Sequence, residues 1–234
     1  MTTKALLLGS IGVLAETSDI QRRAYNQAFQ DHGLDWHWSA ETYRYLLRFV
    51  GGQARMRLLS DATGAALSDA LISNIHVHKT KLAGAMVKQE VSFPRPGVIE
   101  AIAAAKQSGI LCGIVTSTQR ANIDAIADAA GVDLGDMDVV VTQEDVTAGK
   151  PSPEPYLFAL EKLGIRPAEA IAVEDTAASL QSAVDARIET IATPGAYALD
   201  QDFRFASLVA PSLLLEDGAL IQALAAHFKV KVAA

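Results

Sequence analysis

Residues 170–192 read AIAVEDTAASLQSAVDARIETIA, and their pattern decides the fold. Ala170-Ile171-Ala172-Val173 is an apolar run too short for a buried helix, and it reads as a strand covered on both faces. Thr176 to Ala186 is a helix candidate, and Thr190-Ile191-Ala192 returns to a short apolar run. Working outward, Lys4 to Leu8, Leu111 to Val115 and Val139 to Val141 are runs of the same kind. Helix candidates lie between them. Val98 to Gln107 is entered by Pro96-Gly97 and stopped at Gly109, Ala121 to Ala130 ends at Gly131, and Pro153 to Leu163 ends at Gly164. Such alternation implies an α/β fold with a doubly wound, parallel, Rossmann-like sheet. After Phe203 the sequence offers one more apolar run near Leu208 and a terminal helix around Ala219 to Phe228.

One interval breaks the alternation. From about Thr17 to Met86 there are helix patterns and no strand. Ile20, Ala24, Tyr25, Ala28 and Phe29 form one apolar stripe, Ser39 can cap a helix starting near Ala40, and Gly51-Gly52 breaks the chain before further helices. The expectation is an all-helical cap domain, residues 16–86, inserted into a core made of residues 1–15 and 87–234. His76 and His78 are two apart in a helical pattern and make a poor metal pair, and Trp36 and Trp38 read as packing.

The chain has 234 residues, 50% of them hydrophobic, which is enough for a sizeable core. Its net charge of −7 leaves no basic excess for a nucleic-acid partner. No stretch is long and apolar enough to span a bilayer, and Ala5 to Ala15 lacks the flanks of a secretory leader, so a cytoplasmic protein is expected. Cys112 is the only cysteine and reads as a small buried hydrophobe.

Open α/β sheets bind ligands at the carboxyl ends of their strands, so the residues there matter most. Thr116 and Ser117 follow one strand and can hold phosphate oxygens, or they can cap the helix at Ala121. Lys150, before proline-fixed Pro151-Ser152-Pro153, can offer a point charge to a phosphate, or it can be a surface lysine in a turn. Glu174-Asp175 suits a hard cation such as magnesium, or Asp175 can be an N-cap.

The order of these segments resembles the haloacid-dehalogenase-like superfamily. Gly149-Lys150-Pro151-Ser152-Pro153 and Val173-Glu174-Asp175-Thr176 resemble its third and fourth motifs, and Thr116 matches its second. Within that superfamily, Ala15-Glu16-Thr17, Arg22-Arg23-Ala24-Tyr25-Asn26, Asp35-Trp36-His37-Trp38 and Gly51-Gly52 with Arg55 resemble the caps of CbbY-type sugar-bisphosphate phosphatases and, more distantly, of beta-phosphoglucomutases. The resemblance implies a phosphate-binding group of Gly12, Thr116, Ser117 and Lys150. It also implies substrate or cap roles for Glu16, Arg22, Arg23, Gly51, Gly52 and Arg55, and magnesium at Glu174 and Asp175.

The first motif departs from that pattern. The family has Asp-x-Asp-Gly-Thr-Leu after its first strand, and here the stretch is Gly9-Ser10-Ile11-Gly12-Val13-Leu14. The nucleophilic aspartate corresponds to Gly9 and the acid/base aspartate to Ile11. Glycine carries no atom that can attack phosphorus, and loss of one member of a cooperating catalytic set costs roughly 10⁴ to 10⁶ in rate. Magnesium binding is expected to be weak or absent. Strand alternation points Ser10 away from the face of positions 9 and 11. The family's cap lysine after Gly51-Gly52 is Gln53 here. The resulting expectation is a catalytically degenerate phosphatase homologue that binds a phosphorylated small molecule. The alternatives are an active phosphomonoester hydrolase or phosphomutase, and a regulatory or partner-binding protein.

Overall fold

The computed structural model describes residues 3–49, 51–90 and 93–214, so the expected terminal helix around Ala219 to Phe228 lies outside the described residues. Five strands follow the expected runs closely: β1 (Ala5–Leu8), β2 (Leu111–Val115), β3 (Val139–Val141), β4 (Ala170–Glu174) and β5 (Glu189–Ala192). A short β6 (Leu208–Val209) adds an edge. All neighbours pair in parallel in the order β3-β2-β1-β4-β5-β6. β1 therefore lies at the centre, with β2 on one side and β4 on the other.

Period-two alternation sorts the strand side chains between two apolar layers. Leu6, Leu8, Cys112, Ile114, Ile171 and Val173 face α5 (Val98–Gln107) and α6 (Arg120–Ala130). Ala5, Leu7, Val139, Val141, Ala170 and Ala172 face α7 (Glu154–Leu163) and α8 (Ala177–Asp185). Gly97 enters α5 at φ +87°, a conformation that glycine adopts without strain.

Four helices separate β1 from the rest of the sheet: α1 (Ser18–Asp31), α2 (Ala40–Leu46), α3 (Gly52–Thr63) and α4 (Asp69–Gln89). Ser39 caps α2 by accepting a hydrogen bond from the Thr42 amide. These helices build their own cluster around Tyr25, Phe29, Trp38, Tyr43, Met56, Ile72 and Ile75. Trp38 is fully buried there, in aromatic contact with Tyr25, Phe29 and Tyr43. His78 turns outward to His32 and Asp31 while His76 turns inward, so the two histidines diverge. A small junction of Ile20, Val87 and Ala125 seats α1 and α4 on α6. Among the described residues, no helix is long and apolar enough to cross a membrane.

A Cβ added at Gly97 would lie 2.3 Å from both the Leu213 carbonyl carbon and the Leu214 nitrogen, in addition to the unfavourable φ. Gly97→Ala is therefore expected to cost at least ~2 kcal/mol, measured as a lower urea midpoint with an unchanged slope.

Candidate functional site

The carboxyl ends of β1, β2 and β4 meet the helical block at a cavity of about 120 Å³. Ser10, Ile11, Thr116, Ser117, Lys150, Glu174 and Asp175 line it from the sheet side. Gln21, Tyr25, Tyr43, Gly51, Gly52, Arg55, His76 and Lys79 line it from the helices.

The sheet-side residues are held in position by one another. Lys150 and Glu174 form an ion pair whose side chains are only 3% and 1% exposed. Lys150 Nζ also donates to the Val115 carbonyl at 2.8 Å, and the Tyr156 hydroxyl donates to the same Glu174 oxygen. Ser117 Oγ accepts from the Lys150 amide at 3.2 Å, which fixes the lysine's loop against the end of β2. Thr116 Oγ1 hydrogen-bonds Ser10 Oγ at 2.6 Å and accepts from the Thr118 amide at 3.2 Å.

The structural alternatives for these residues are not realised. Gln119, not a hydroxyl residue, stands at the start of α6. Thr176, not Asp175, caps α8 through the Ser179 amide. Lys150 is buried rather than a surface lysine. The direction expected for Ser10 is corrected. β1 ends at Leu8, so alternation no longer applies two residues later, and Ser10 Oγ lies on the cavity side with Thr116.

Gly12, at φ +75°, passes close to Asp175; a Cβ there would lie 2.2 Å from Asp175 Oδ2. Arg95 anchors this loop by donating to the carbonyls of Gly12, Thr193, Pro194 and Pro211. Burial, then the neighbouring Glu174 and Glu16 carboxylates, pushes the Asp175 carboxyl well above the usual range, against the pull of Lys150 and Arg95.

Not every expected residue reaches the cavity. Arg22 pairs with Asp19 and donates to the Trp38 carbonyl, and Arg23 pairs with Asp19 and Glu90. Neither lines the cavity. Glu16 accepts from the Ala196 and Ser18 amides and so tacks the start of α1 to the loop after β5. Gly51, Gly52 and Arg55 do face the cavity. Arg55 donates to the Phe49 carbonyl and lies over the Tyr43 ring. A Cβ at Gly52 would lie 1.8 Å from the Tyr25 hydroxyl, so only glycine lets α3 approach that closely.

Sequence reasoning missed Lys79, Gln21 and Tyr156. A signal for Lys79 was present, because Ile72, Ile75, His76, Lys79, Ala83 and Val87 lie at helical spacing and all are buried. A lysine on an otherwise inward stripe marks a buried amine. Burial first, then Arg55, lowers its pKa from 10.5 to about 7. Burial, Lys79 and Arg55 together lower that of His76 to about 4, and His76 Nδ1 has no protein hydrogen-bond partner.

The family generally uses magnesium, and the residues that would hold it here are Glu174 and Asp175. Of the two carboxylates at the cavity, Glu174 commits one oxygen to Lys150 and Tyr156. Among the described residues, no group of three or more His, Cys, Asp or Glu side chains could hold a metal. Magnesium is usually held by one or two carboxylates with waters and substrate phosphates, and with Glu174 committed to Lys150 and Tyr156 the second carboxylate at the cavity is Asp175.

A parallel sheet that gathers hydroxyls, a lysine and an acidic pair at its carboxyl edge is a Rossmann-like core with a ligand site at its strand ends. The chain belongs to the haloacid dehalogenase-like hydrolase family, which matches residues 4–187. It is similar to the protein CbbY of Rhodobacter capsulatus, with 40% identity over 215 residues, covering 91% of this chain and 95% of that one. It is also similar to CbbY from Rhodobacter sphaeroides, solved in complex with phosphate. That match has a TM-score of 0.83 and 32% identity, and covers 91% of this chain and 95% of the other. A mutant of the same protein, solved in complex with xylulose-(1,5)bisphosphate, matches equally well. Beta-phosphoglucomutase from Clostridium difficile shares the fold, with a TM-score of 0.77 at 15% identity, covering 96% of this chain and 99% of that one.

Two outcomes are expected. Lys150→Met leaves Glu174 buried without its cation and costs roughly 3–5 kcal/mol, whereas Lys150→Met with Glu174→Leu recovers most of that loss; urea unfolding of the double-mutant cycle measures it. The second concerns pH. Below about 7, Lys79 is charged in both the folded and unfolded states, and the folded state carries the full cost of burial. Above about 7 the folded chain binds fewer protons at this site than the unfolded one, so stability from this group rises with pH up to its ordinary 10.5. The Tm difference between wild type and Lys79→Met should move in favour of wild type between pH 7 and 10.

Proposed function

We propose that this protein binds a phosphorylated small molecule, of the sugar-phosphate class, without hydrolysing it and without a metal. One observation carries the reading. The cavity keeps Thr116, Ser117 and Lys150 while its first-motif positions are Gly9 and Ile11, which offer neither a nucleophile nor an acid. The missing carboxylates and the missing divalent cation offset one another in charge. An anion can then be held by the hydroxyls and by Lys150, whereas the Gly12 amide, expected to join them, donates to the Ala15 carbonyl instead. That CbbY from Rhodobacter sphaeroides has been solved with phosphate supports the same ligand class here.

The helical block, residues 16–86, is read as a cap domain over a core of residues 1–15 and 87–234. Its separate apolar cluster and its lack of strands support that division. In this reading Arg55, Gly51 and Gly52 meet the ligand from the cap, and Glu16, Arg22 and Arg23 set the position of α1.

A second reading, an active hydrolase or mutase, has one observation in its favour. Ser10 Oγ stands at the cavity beside Thr116. Its hydrogen bond is to another hydroxyl, however, and a serine nucleophile needs a base.

Calorimetry with inorganic phosphate and hexose phosphates tests the proposal. Binding should be equal in chelator and in magnesium, and Thr116→Val should weaken it at least ~5-fold. Binding only with magnesium, or none at all, would sink the idea. A turnover screen over phosphomonoesters should find nothing in wild type and magnesium-dependent activity in Gly9→Asp with Ile11→Asp. Wild-type turnover that Ser10→Ala abolishes would establish the second reading instead.

A further inference from the structure

Two lysines are buried at this cavity, and they differ in one respect. Lys150 has a carboxylate partner. Lys79, 5% exposed, has none among the described residues. Its Nζ donates to Gln21 Oε1 and lies 4.6 Å from the centre of the Tyr25 ring. The groups facing it are neutral or cationic on every side. α1 presents Gln21 and Tyr25, with Asn122 of α6 behind Gln21 at 3.5 Å; α4 itself presents His76, and α3 presents Arg55.

We propose that Lys79 is a nucleophilic amine that captures the carbonyl carbon of a phosphorylated aldehyde or ketone as an imine inside this cavity. The proposal rests on the anion site above for retention of the ligand, and it adds covalent chemistry which that site does not itself require.

Three features support it. An amine acts as a nucleophile only through its free lone pair, and a solvated lysine is unprotonated in only about one of every few thousand molecules at pH 7. Desolvation beside a second cation is the arrangement that frees a lysine's lone pair. Here burial, followed by Arg55, brings Lys79 to about 7, so a large share of the amine is free at neutral pH. Second, Gln21 and the Tyr25 ring fix the amine at the cavity wall, so no conformational entropy is lost in presenting it. Third, Lys79 lines the same cavity as Thr116, Ser117 and Lys150, so the amine and the anion site open onto one shared space.

The step balances without an oxidant or reductant. The Nζ lone pair attacks the carbonyl carbon, and one Nζ proton passes to the carbonyl oxygen to give a neutral carbinolamine. That hydroxyl takes a second proton and leaves as water as the C=N bond forms. Relative to free amine and carbonyl, one solvent proton is consumed, one water is released, and the product is a protonated imine. Its positive charge stays over the Tyr25 ring, where the ammonium stood.

Borohydride trapping tests this on the wild-type protein. It is incubated at pH 7 with dihydroxyacetone phosphate and sodium borohydride, digested, and mapped by mass spectrometry. The Lys79 peptide should gain the mass of the ligand less one oxygen atom, at least ~10-fold faster than any other lysine. Glycerol 3-phosphate, which has the phosphate but no carbonyl, should bind by calorimetry, form no adduct and slow the labelling. Lys79→Arg should still bind glycerol 3-phosphate and lose the label. Hydroxyacetone, which has a carbonyl but no phosphate, separates the two readings. Labelling of Lys79 by hydroxyacetone when neither phosphate compound binds would keep the amine and remove the anion site. Absence of label on Lys79 with either carbonyl compound would overturn the proposal, and so would labelling of surface lysines as fast as Lys79.

Discussion

Lys150 reaches from the loop before α7 to the Val115 carbonyl at the end of β2 and to Glu174 at the end of β4. β1 lies between those two strands, so the ammonium spans the end of the central strand. A buried charge pair is stable only if its remaining hydrogen-bonding capacity is met. Tyr156 and the Val115 carbonyl meet it here, and both come from elements that the pair must hold in register. The positions of Thr116, Ser117 and Asp175 follow from this tie. Ser117 is fixed by the Lys150 amide, and Asp175 is the residue next to Glu174.

The charge on the two walls of the cavity is unequal. On the sheet side, Lys150 is answered by Glu174, and the Asp175 carboxyl is pushed toward its neutral form. On the helix side, Arg55 and Lys79 have aromatic and amide neighbours. Among the described residues, the cations of the helix wall thus lack the carboxylate partner that Lys150 has on the sheet wall, which supports the anion site proposed above.

Much of the architecture was legible in the sequence, because short apolar runs separated by glycine-stopped helices admit few topologies. The βαβ pattern of residues 170–192 placed Glu174 and Asp175 at a strand end, and β4 ends at Glu174. Thr116, Lys150 and the two glycines at the start of α3 also came together at one cavity. What escaped notice depended on tertiary packing. Ser10 lies past the end of β1, where alternation no longer applies. Lys79 sits on a stripe that looked like ordinary helix, and only the packing of α1 and α3 against α4 makes its amine a buried one. Tyr156 lies in an amphipathic helix, and no local pattern links it to a glutamate 18 residues away. The arginines at 22 and 23 matched a family pattern, but partners remote in sequence, Trp38 and Glu90, occupy them.

The close approach at Gly9 bears on how this sequence can change. A Cβ there would lie 2.6 Å from Glu174 Oε2 and 2.9 Å from Val13 Cγ2. Any residue other than glycine therefore displaces a carboxylate that Lys150 and Tyr156 hold, and a single codon change meets the cost of disturbing all three. The cost of a side chain at position 9 is thus set by how far Glu174 and Val13 yield, and any carboxylate introduced there acts only after that shift has been absorbed.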